Sequence, residues 1–381
     1  MLPLYVVSDM HLGEPGAAAM FHDKRQGMVF ADLCGHIART GGELVLLGDV
    51  FDITASTPPP RGLTAFGEAV GVPTIIDRPA PALDETLQRI RSNNRISLDA
   101  LEALAADFPV TLVPGNHDRH LGEQGGRAAL DAIGLSNVKL EPMAVRYFGE
   151  KIAVLQHGHA WDASNATPHG GGETMTGVLH HAVIPFVRAQ AERRNVRVDV
   201  DRLVALRPEQ RTVPVLERWL SPGRMEIFVD AFTDLLVENG ALSRMVGWLL
   251  TPDRIRDRLR DDDDLWERAG HAALRALEGN HPLPGRPPPP DLLVLGHTHV
   301  IDWAVQEGAA HLDARTGTLG DPTQRLYVNL GSWTGRAVDA AGPVDAALPL
   351  LEIHEEPNRL LATLRDLAGH GRALQTFEVQ R

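Results

Sequence analysis

Short apolar runs rich in β-branched or aromatic residues recur along this chain, and each stops at a polar cluster. Leu4 to Val7 ends in Ser8-Asp9-Met10-His11, and Leu44 to Leu47 ends in Gly48-Asp49-Val50-Phe51-Asp52. Val110 to Val113 leads to Gly115-Asn116-His117-Asp118, and Leu292 to Leu295 to Gly296-His297-Thr298-His299. Arg325 to Leu330 ends in Gly331-Ser332-Trp333. Apolar runs this short, bounded by turn residues, predict buried strands. Ala144 to Tyr147 and Ile152 to Leu155 flank Phe148-Gly149-Glu150-Lys151, which predicts a hairpin whose second strand runs into Gln156-His157-Gly158-His159. Between the early strands the apolar spacing becomes helical. Phe30, Leu33, Cys34 and Ile37 precede the stop signal Gly41-Gly42, and Leu98, Leu101 and Leu104 precede Pro109. Strand, helix and strand in alternation predict an α/β body, in which the carboxyl ends of the strands form the ligand crevice.

A different pattern occupies the stretch from His159 to the proline run Pro287 to Pro290. Ser221-Pro222 reads as an N-cap with a first-turn proline, followed at helical spacing by Met225, Phe228, Val229, Phe232, Leu235 and Leu236 up to Gly240. Thr251-Pro252 repeats the start signal, and Leu265 to Leu277 with Gly279 supplies a further helix and stop. The organisation expected is therefore one body made of residues 1–165 and 286–381, with a helical insertion at 166–285. Scaffold extension, dimer surface and cap over an active site are all open for this insertion. The apolar stretches Met225 to Val237 and Met245 to Leu250 suit core packing, shelter for an acyl chain, or peripheral contact with a membrane surface. The acids Asp261 to Asp264 read as a solvated helix face.

The 381 residues, 43% of them apolar, suffice for a real core. Thirty-seven basic against 50 acidic residues give a net charge of −13, the wrong sign for a surface that attracts nucleic acid or anionic lipid as a whole. A phosphate-binding protein of this charge needs local cations. Cys34, the single cysteine, excludes an internal disulfide and a multi-cysteine metal cage, and reads as a small buried apolar residue. The opening residues show neither a basic leader region nor a cleavage site, and no uncharged apolar stretch nears the ~18 residues that span a bilayer. A soluble, cytoplasmic protein without a transmembrane segment is expected.

The strand-end clusters hold Asp9 and His11; Asp49 and Asp52; Asn116, His117 and Asp118; His157 and His159; His297 and His299. Six of the 17 histidines lie there. Carboxylate, imidazole and amide oxygen donors without thiolate suit borderline to hard divalent ions. Asp-x-His and His-x-His spacings place both side chains on one face of an extended chain, so that both reach one ion. Each piece alone is common, but five pieces, each after a strand, point to a metal centre.

These motifs resemble the calcineurin-like metallophosphoesterases, whose pattern is Asp-x-His, Gly-Asp-x-x-Asp, Gly-Asn-His-Asp/Glu, a lone His, and Gly-His-x-His. Every element is present here, in patches over residues 4–160 and 291–335. The resemblance implies a two-sheet α/β sandwich carrying two divalent ions, with manganese favoured and iron, zinc or magnesium as alternatives. It implies that Asp9, His11, Asp49 and His299 hold one ion, that Asp49, Asn116, His157 and His297 hold the second, and that Asp49 bridges. Two divalent ions about 3.5–4 Å apart lower the pKa of a bridging water and neutralise phosphoryl oxygens as the resulting hydroxide attacks in line. His117 is then the candidate for protonating the leaving oxygen, oriented by Asp52. Asn116, His117 and Arg119 are the candidate substrate contacts, with Arg119 open between a phosphate fork and an ion pair. Asp118 reads as a loop-fixing acceptor. His159 reads as facing the site or orienting a ligand, and His120 and Trp333 as packing or surface residues.

The expected reaction is hydrolysis of a phosphodiester or pyrophosphate. Ser8-Asp9-Met10-His11-Leu12-Gly13 and Gly115-Asn116-His117-Asp118-Arg119 are similar to UDP-2,3-diacylglucosamine hydrolases, which are usually shorter. Gly48-Asp49-Val50-Phe51-Asp52 followed by Pro58 to Pro60 is similar to SbcD-type DNA exonuclease subunits, against which the acidic balance weighs. A metal-bound scaffold without catalysis is the alternative from another class.

Overall fold

The computed structural model describes residues 2–15, 20–149, 151–162, 165–166, 170–195, 220–240, 290–299, 301–307, 324–334, 336–339, 342–345, 347–357, 359–369 and 371–380. The amino-terminal half reads β1 (Leu4–Val7), α1 (Met28–Thr40), β2 (Glu43–Leu47), α2 (Leu63–Ala69), α3 (Leu83–Asn93), α4 (Arg95–Asp107) and β3 (Val110–Val113). There follow α5 (Gly126–Ala132), β4 (Lys139–Leu140), β5 (Ala144–Phe148), β6 (Lys151–Leu155), α6 (Gly171–Val178), α7 (Ile184–Arg193) and α8 (Pro222–Glu238). The chain then forms β7 (Leu292–Leu295), β8 (Ile301–Glu307), β9 (Gln324–Leu330), β10 (Arg336–Asp339), β11 (Gly342–Asp345), β12 (Pro349–Glu356), β13 (Arg359–Asp366) and β14 (Arg372–Gln380).

Two sheets carry the body. One has seven strands in the order β14-β13-β12-β1-β2-β3-β4, the other five in the order β5-β6-β7-β9-β8, and β10 pairs with β11 in a separate ribbon. Strands β1 to β4 run parallel, while β12 lies antiparallel on the other side of β1 and begins an antiparallel meander. In the second sheet β6, β7 and β9 are parallel, with β5 and β8 antiparallel at the edges.

The period-2 alternation of β1 explains the layering. Leu4 and Val6 turn into the space between the sheets, against Val45, Leu47, Leu155, Val294, Val328 and Ile353. Tyr5 and Val7 turn the other way, onto a layer built from Phe30, Leu33, Ile37, Leu98, Leu101 and Leu104 of the helices. A strand buried on both faces has no polar position to spare until it ends, which is why its run reads as uninterrupted apolar sequence. The two sheets and flanking helices form the α/β sandwich that the motifs implied.

A third apolar cluster joins α6, α7 and α8 to α2. Phe186 stacks on Phe228 at 4.9 Å between centroids, and Phe228 meets Phe66 edge-on at 6.1 Å. The helix expected after Ser221-Pro222 is present and ends at Glu238, although the Ser221 side chain makes no capping hydrogen bond. The helices expected after Thr251-Pro252 and over Leu265 to Leu277, and the acids Asp261 to Asp264, lie outside the described residues. Among the described residues no helix is long and apolar enough to cross a membrane.

Candidate metal centre

The strand ends deliver their polar clusters through backbone that ordinary residues avoid. Asp9, His11, Asp49, His297 and His299 all have positive φ, between 50° and 72°. A left-handed conformation at a non-glycine residue costs free energy and persists where the surroundings over-determine it. Here the loops lock each other. The amides of Asp9, His11 and Leu12 donate to the carbonyls of Gly48, Asp49 and Val50 at 3.1, 2.8 and 2.8 Å, and Asp52 N–H donates back to Leu12 O at 3.0 Å. The His297 amide donates to the Asp9 carboxylate at 3.0 Å, and Trp333 N–H to Asp9 O at 3.0 Å. Asp118 serves the same purpose as a buried acceptor, taking the amides of Val50 at 2.7 Å, Phe51 at 3.2 Å and Gly115 at 2.6 Å. The glycine of the Gly-Asn-His motif is required by close approach, since a Cβ on Gly115 would lie 2.2 Å from Asp49 Oδ1.

Three overlapping donor groups result: Asp9, His11 and His299; His11, Asp49 and His117; Asp49, His157 and His297. Asp49 belongs to two of them. Its Oδ2 lies 3.1 Å from His157 Nε2 and 3.9 Å from His11 Nε2. On one side His299 Nε2 stands 3.3 Å from Asp9 Oδ1 and 3.0 Å from His11 Nε2. On the other, His157 Nε2 is 3.2 Å from Asn116 Oδ1, and its Nδ1 reaches Leu47 O at 3.1 Å, an anchor that aims Nε2 at the centre. The structure thus gathers Asp9, His11, Asp49, Asn116, His157, His297 and His299 into one place.

Electrostatics support a cation there. Burial works against charge on Asp9 and Asp49, yet His157 and neighbouring histidines hold both carboxyls below the ordinary range. Burial likewise works against charge on His157, but Asp49 and Asp9 raise it to about 10. Burial pushes His11 down to about 3, with His117 and His299 acting in the same direction, and its Nδ1 is buried with no hydrogen-bond partner. Two facing imidazole nitrogens beside two buried carboxylates are a poor hydrogen-bond network and a good ligand set for divalent ions. The residues present fit the metals.

Other sequence candidates fall around this centre. His117 Nδ1 lies 2.7 Å from Asp52 Oδ1 and 2.9 Å from Thr54 Oγ1, and its ring meets that of His11 edge-on at 4.7 Å between centroids. Arg119 pairs with Glu173 of α6 and donates from Nη2 to Asn165 O at 2.9 Å, so it ties the Asn-His-Asp loop to a helix. The half-buried His159 sits 5.5 Å from His157 between ring centroids, and burial first, then the His157 charge, lowers it to about 3. His120 contacts Glu123 at 3.3 Å. Trp333 is fully buried, stacks edge-on with Phe30 and donates to Pro349 O at 2.7 Å, a packing role. Sequence reasoning missed Asp162, whose Oδ2 is 3.0 Å from His297 Nε2, and Thr54. Neither stands in a motif, and no spacing marks them.

The calcineurin-like phosphoesterase family model matches residues 2–301. The chain belongs to this family. Among curated proteins none matches significantly. Solved structures similar to this calcineurin-like phosphoesterase include a conserved predicted phosphoesterase from Streptococcus pneumoniae TIGR4, 9% identical at a TM-score of 0.31, which covers 100% of this chain and 98% of that one. Vps29 from Entamoeba histolytica is 13% identical at a TM-score of 0.32 with 100% of both chains covered. The purple acid phosphatase PPD1 from yellow lupin (Lupinus luteus) seeds is 9% identical at 0.33, covering 100% of this chain and 54% of that one.

Proposed function

We propose that this calcineurin-like phosphoesterase is a hydrolase of phosphodiesters or pyrophosphates that works with two divalent ions, manganese first among them. The observation that carries the reading is the position of Asp49, shared between the donor group of His11 and that of His157 and His297. In this reading Asp9, His11, Asp49 and His299 hold one ion, and Asp49, Asn116, His157 and His297 the other. Bound there, the ions would supply an activated water and the positive charge that a phosphoryl group requires in a protein of net charge −13.

The chain's own residues then divide the remaining work. Asp52 and Thr54 hold His117 Nδ1 and so orient the ring, whose Nε2 would give a proton or hydrogen bond to the leaving oxygen. The Asn116 amide lies at the centre and contributes an oxygen donor without adding negative charge beside a substrate anion. Arg119 Nη1 is the atom of that side chain available to a phosphate, its Nε and Nη2 being engaged by Glu173 and Asn165. In this reading the described helices α6, α7 and α8 belong to a cap. Its α6 packs against the loop after Asp52, where a Cβ on Gly177 would lie 3.3 Å from Pro60.

Purified wild-type protein given Mn²⁺ should hydrolyse bis(4-nitrophenyl) phosphate, and Asp49→Ala should lose both ion binding and hydrolysis. A protein that binds ions but stays inert on this ester, on labelled DNA ends and on UDP-sugar and nucleotide pyrophosphates would make the fold a scaffold.

A further inference from the structure

We infer that Asp162 is the positioning residue for His297 and selects the ring nitrogen that this histidine offers to the second ion. The inference rests on the two-ion reading above. An imidazole has two nitrogens, and the one that binds a cation is decided by the hydrogen bond the other makes. His297 Nε2 lies 3.0 Å from Asp162 Oδ2, a carboxylate oxygen that can only accept, and 3.5 Å from Asn165 Nδ2, so the shorter contact puts the proton on Nε2 and leaves the lone pair on Nδ1. Among the described residues Asp162 reaches His297 without joining the three converging donor groups, the place of a partner behind a ligand.

The carboxylate is held as firmly as the ring it holds. Asn165 Nδ2 donates to the same Oδ2 at 2.6 Å, while the Asn165 and Ala166 amides donate to Asp162 O at 2.9 and 2.8 Å. Asn165 O accepts from Arg119 Nη2 at 2.9 Å, and Arg119 pairs with Glu173 on α6. His297 is fixed from its other end by its amide, which donates to the Asp9 carboxylate at 3.0 Å. A chain of contacts thus runs from Glu173 in the helical segment through Arg119, Asn165 and Asp162 to His297. It gives one ligand of the second ion a fixed tautomer and rotamer before any ion arrives.

The test uses the full chain stripped of metal. Calorimetric titration of wild type with Mn²⁺ should give two equivalents. Asp162→Ala should weaken one of them by about 10- to 100-fold, the usual loss when a partner behind a ligand is removed, and leave the other unchanged. Histidine-selective nitrogen-15 spectra of the metal-free protein should show His297 as the Nε2–H tautomer in wild type and as a mixture in the variant, a change that general loosening of the fold does not produce. Two unchanged equivalents, or an unchanged tautomer, would sink the inference and leave the two-ion reading standing; complete loss of one equivalent would make Asp162 a ligand and overturn it as well. Wild type that takes up no ion would instead sink the two-ion reading. Should Asp162→Ala not fold, Asp162→Asn, which keeps the volume and removes the charge, carries the same comparison.

Discussion

At the scale of single residues, the centre is built from groups whose protonation depends on each other. His157 is the clearest case, since Asp49 and Asp9 raise it from the ordinary 6.5 to about 10 against the opposing effect of burial. A group whose folded pKa lies above its unfolded one stabilises the fold fully below the unfolded value and loses that contribution as pH rises through the folded one. The metal-free protein should therefore lose stability between pH 6.5 and about 10 on account of His157, as urea unfolding at a series of pH values will show. An ion that takes the His157 lone pair must displace that proton. Mn²⁺ uptake near pH 8 should release it, detectable as a binding heat that changes with the ionisation enthalpy of the buffer. His117 is predicted to behave differently. His117→Asn should keep its ions and lose about 100- to 10,000-fold in turnover, the range expected when a proton donor is removed; a variant that loses both ions in elemental analysis would show that the histidine serves as a ligand.

At the scale of elements, α4 depends on a side chain far away in sequence. The start of α4 is capped by Asp23, whose Oδ2 accepts from Ile96 N–H at 2.8 Å and whose Oδ1 accepts from the Ser97 amide at 3.0 Å and hydroxyl at 2.6 Å. The residue preceding the helix, Asn94, makes no such cap with its side chain. Asp23→Ala should cost about 1–2 kcal/mol, the worth of a good N-cap, read as a lower denaturation midpoint with unchanged slope. The same approach explains Gly27, where an added Cβ would lie 2.2 Å from the Asp23 carboxylate. On the second sheet, β8 at the edge leaves Trp303 and Val305 exposed, at 40% and 57%. Their alternation with the less exposed Asp302 and Ala304 follows the pleat.

At the scale of the whole molecule, the meander β12 to β14 completes the sheet whose strand ends carry Asp9, His11, Asp49 and Asn116. Leu351 and Ile353 of β12 and Leu360, Ala362 and Leu364 of β13 are buried in the layer that covers Leu4 and Val6. A chain ending at residue 346 would open one side of β1 and expose that layer. It should be insoluble or unfolded by circular dichroism, although every ligand of the centre lies before the cut. The described helices α6, α7 and α8 pose the opposite case, since they pack chiefly on one another and on α2. The links to the centre include the Arg119 and Glu173 pair, the Ala166 amide on Asp162 O, and the contact of α6 with the Pro58 to Pro60 loop.

The sequence by itself determined the strands that carry chemistry. Each is buried on both faces, so its apolar run is unbroken and its end is marked where polar residues begin, as at Val7 before Ser8 and Leu295 before Gly296. It also determined the donor types, because the ligands lie in short motifs whose spacing reflects local backbone geometry. Only the tertiary structure decided what has no local signature: that β12 pairs with β1; that Arg119 reaches Glu173; and that Asp162 stands behind His297. Those three facts depend on contacts between residues 54 to 349 positions apart, which chain connectivity does not encode and which only the closing of the two sheets brings within hydrogen-bonding or ion-pairing distance.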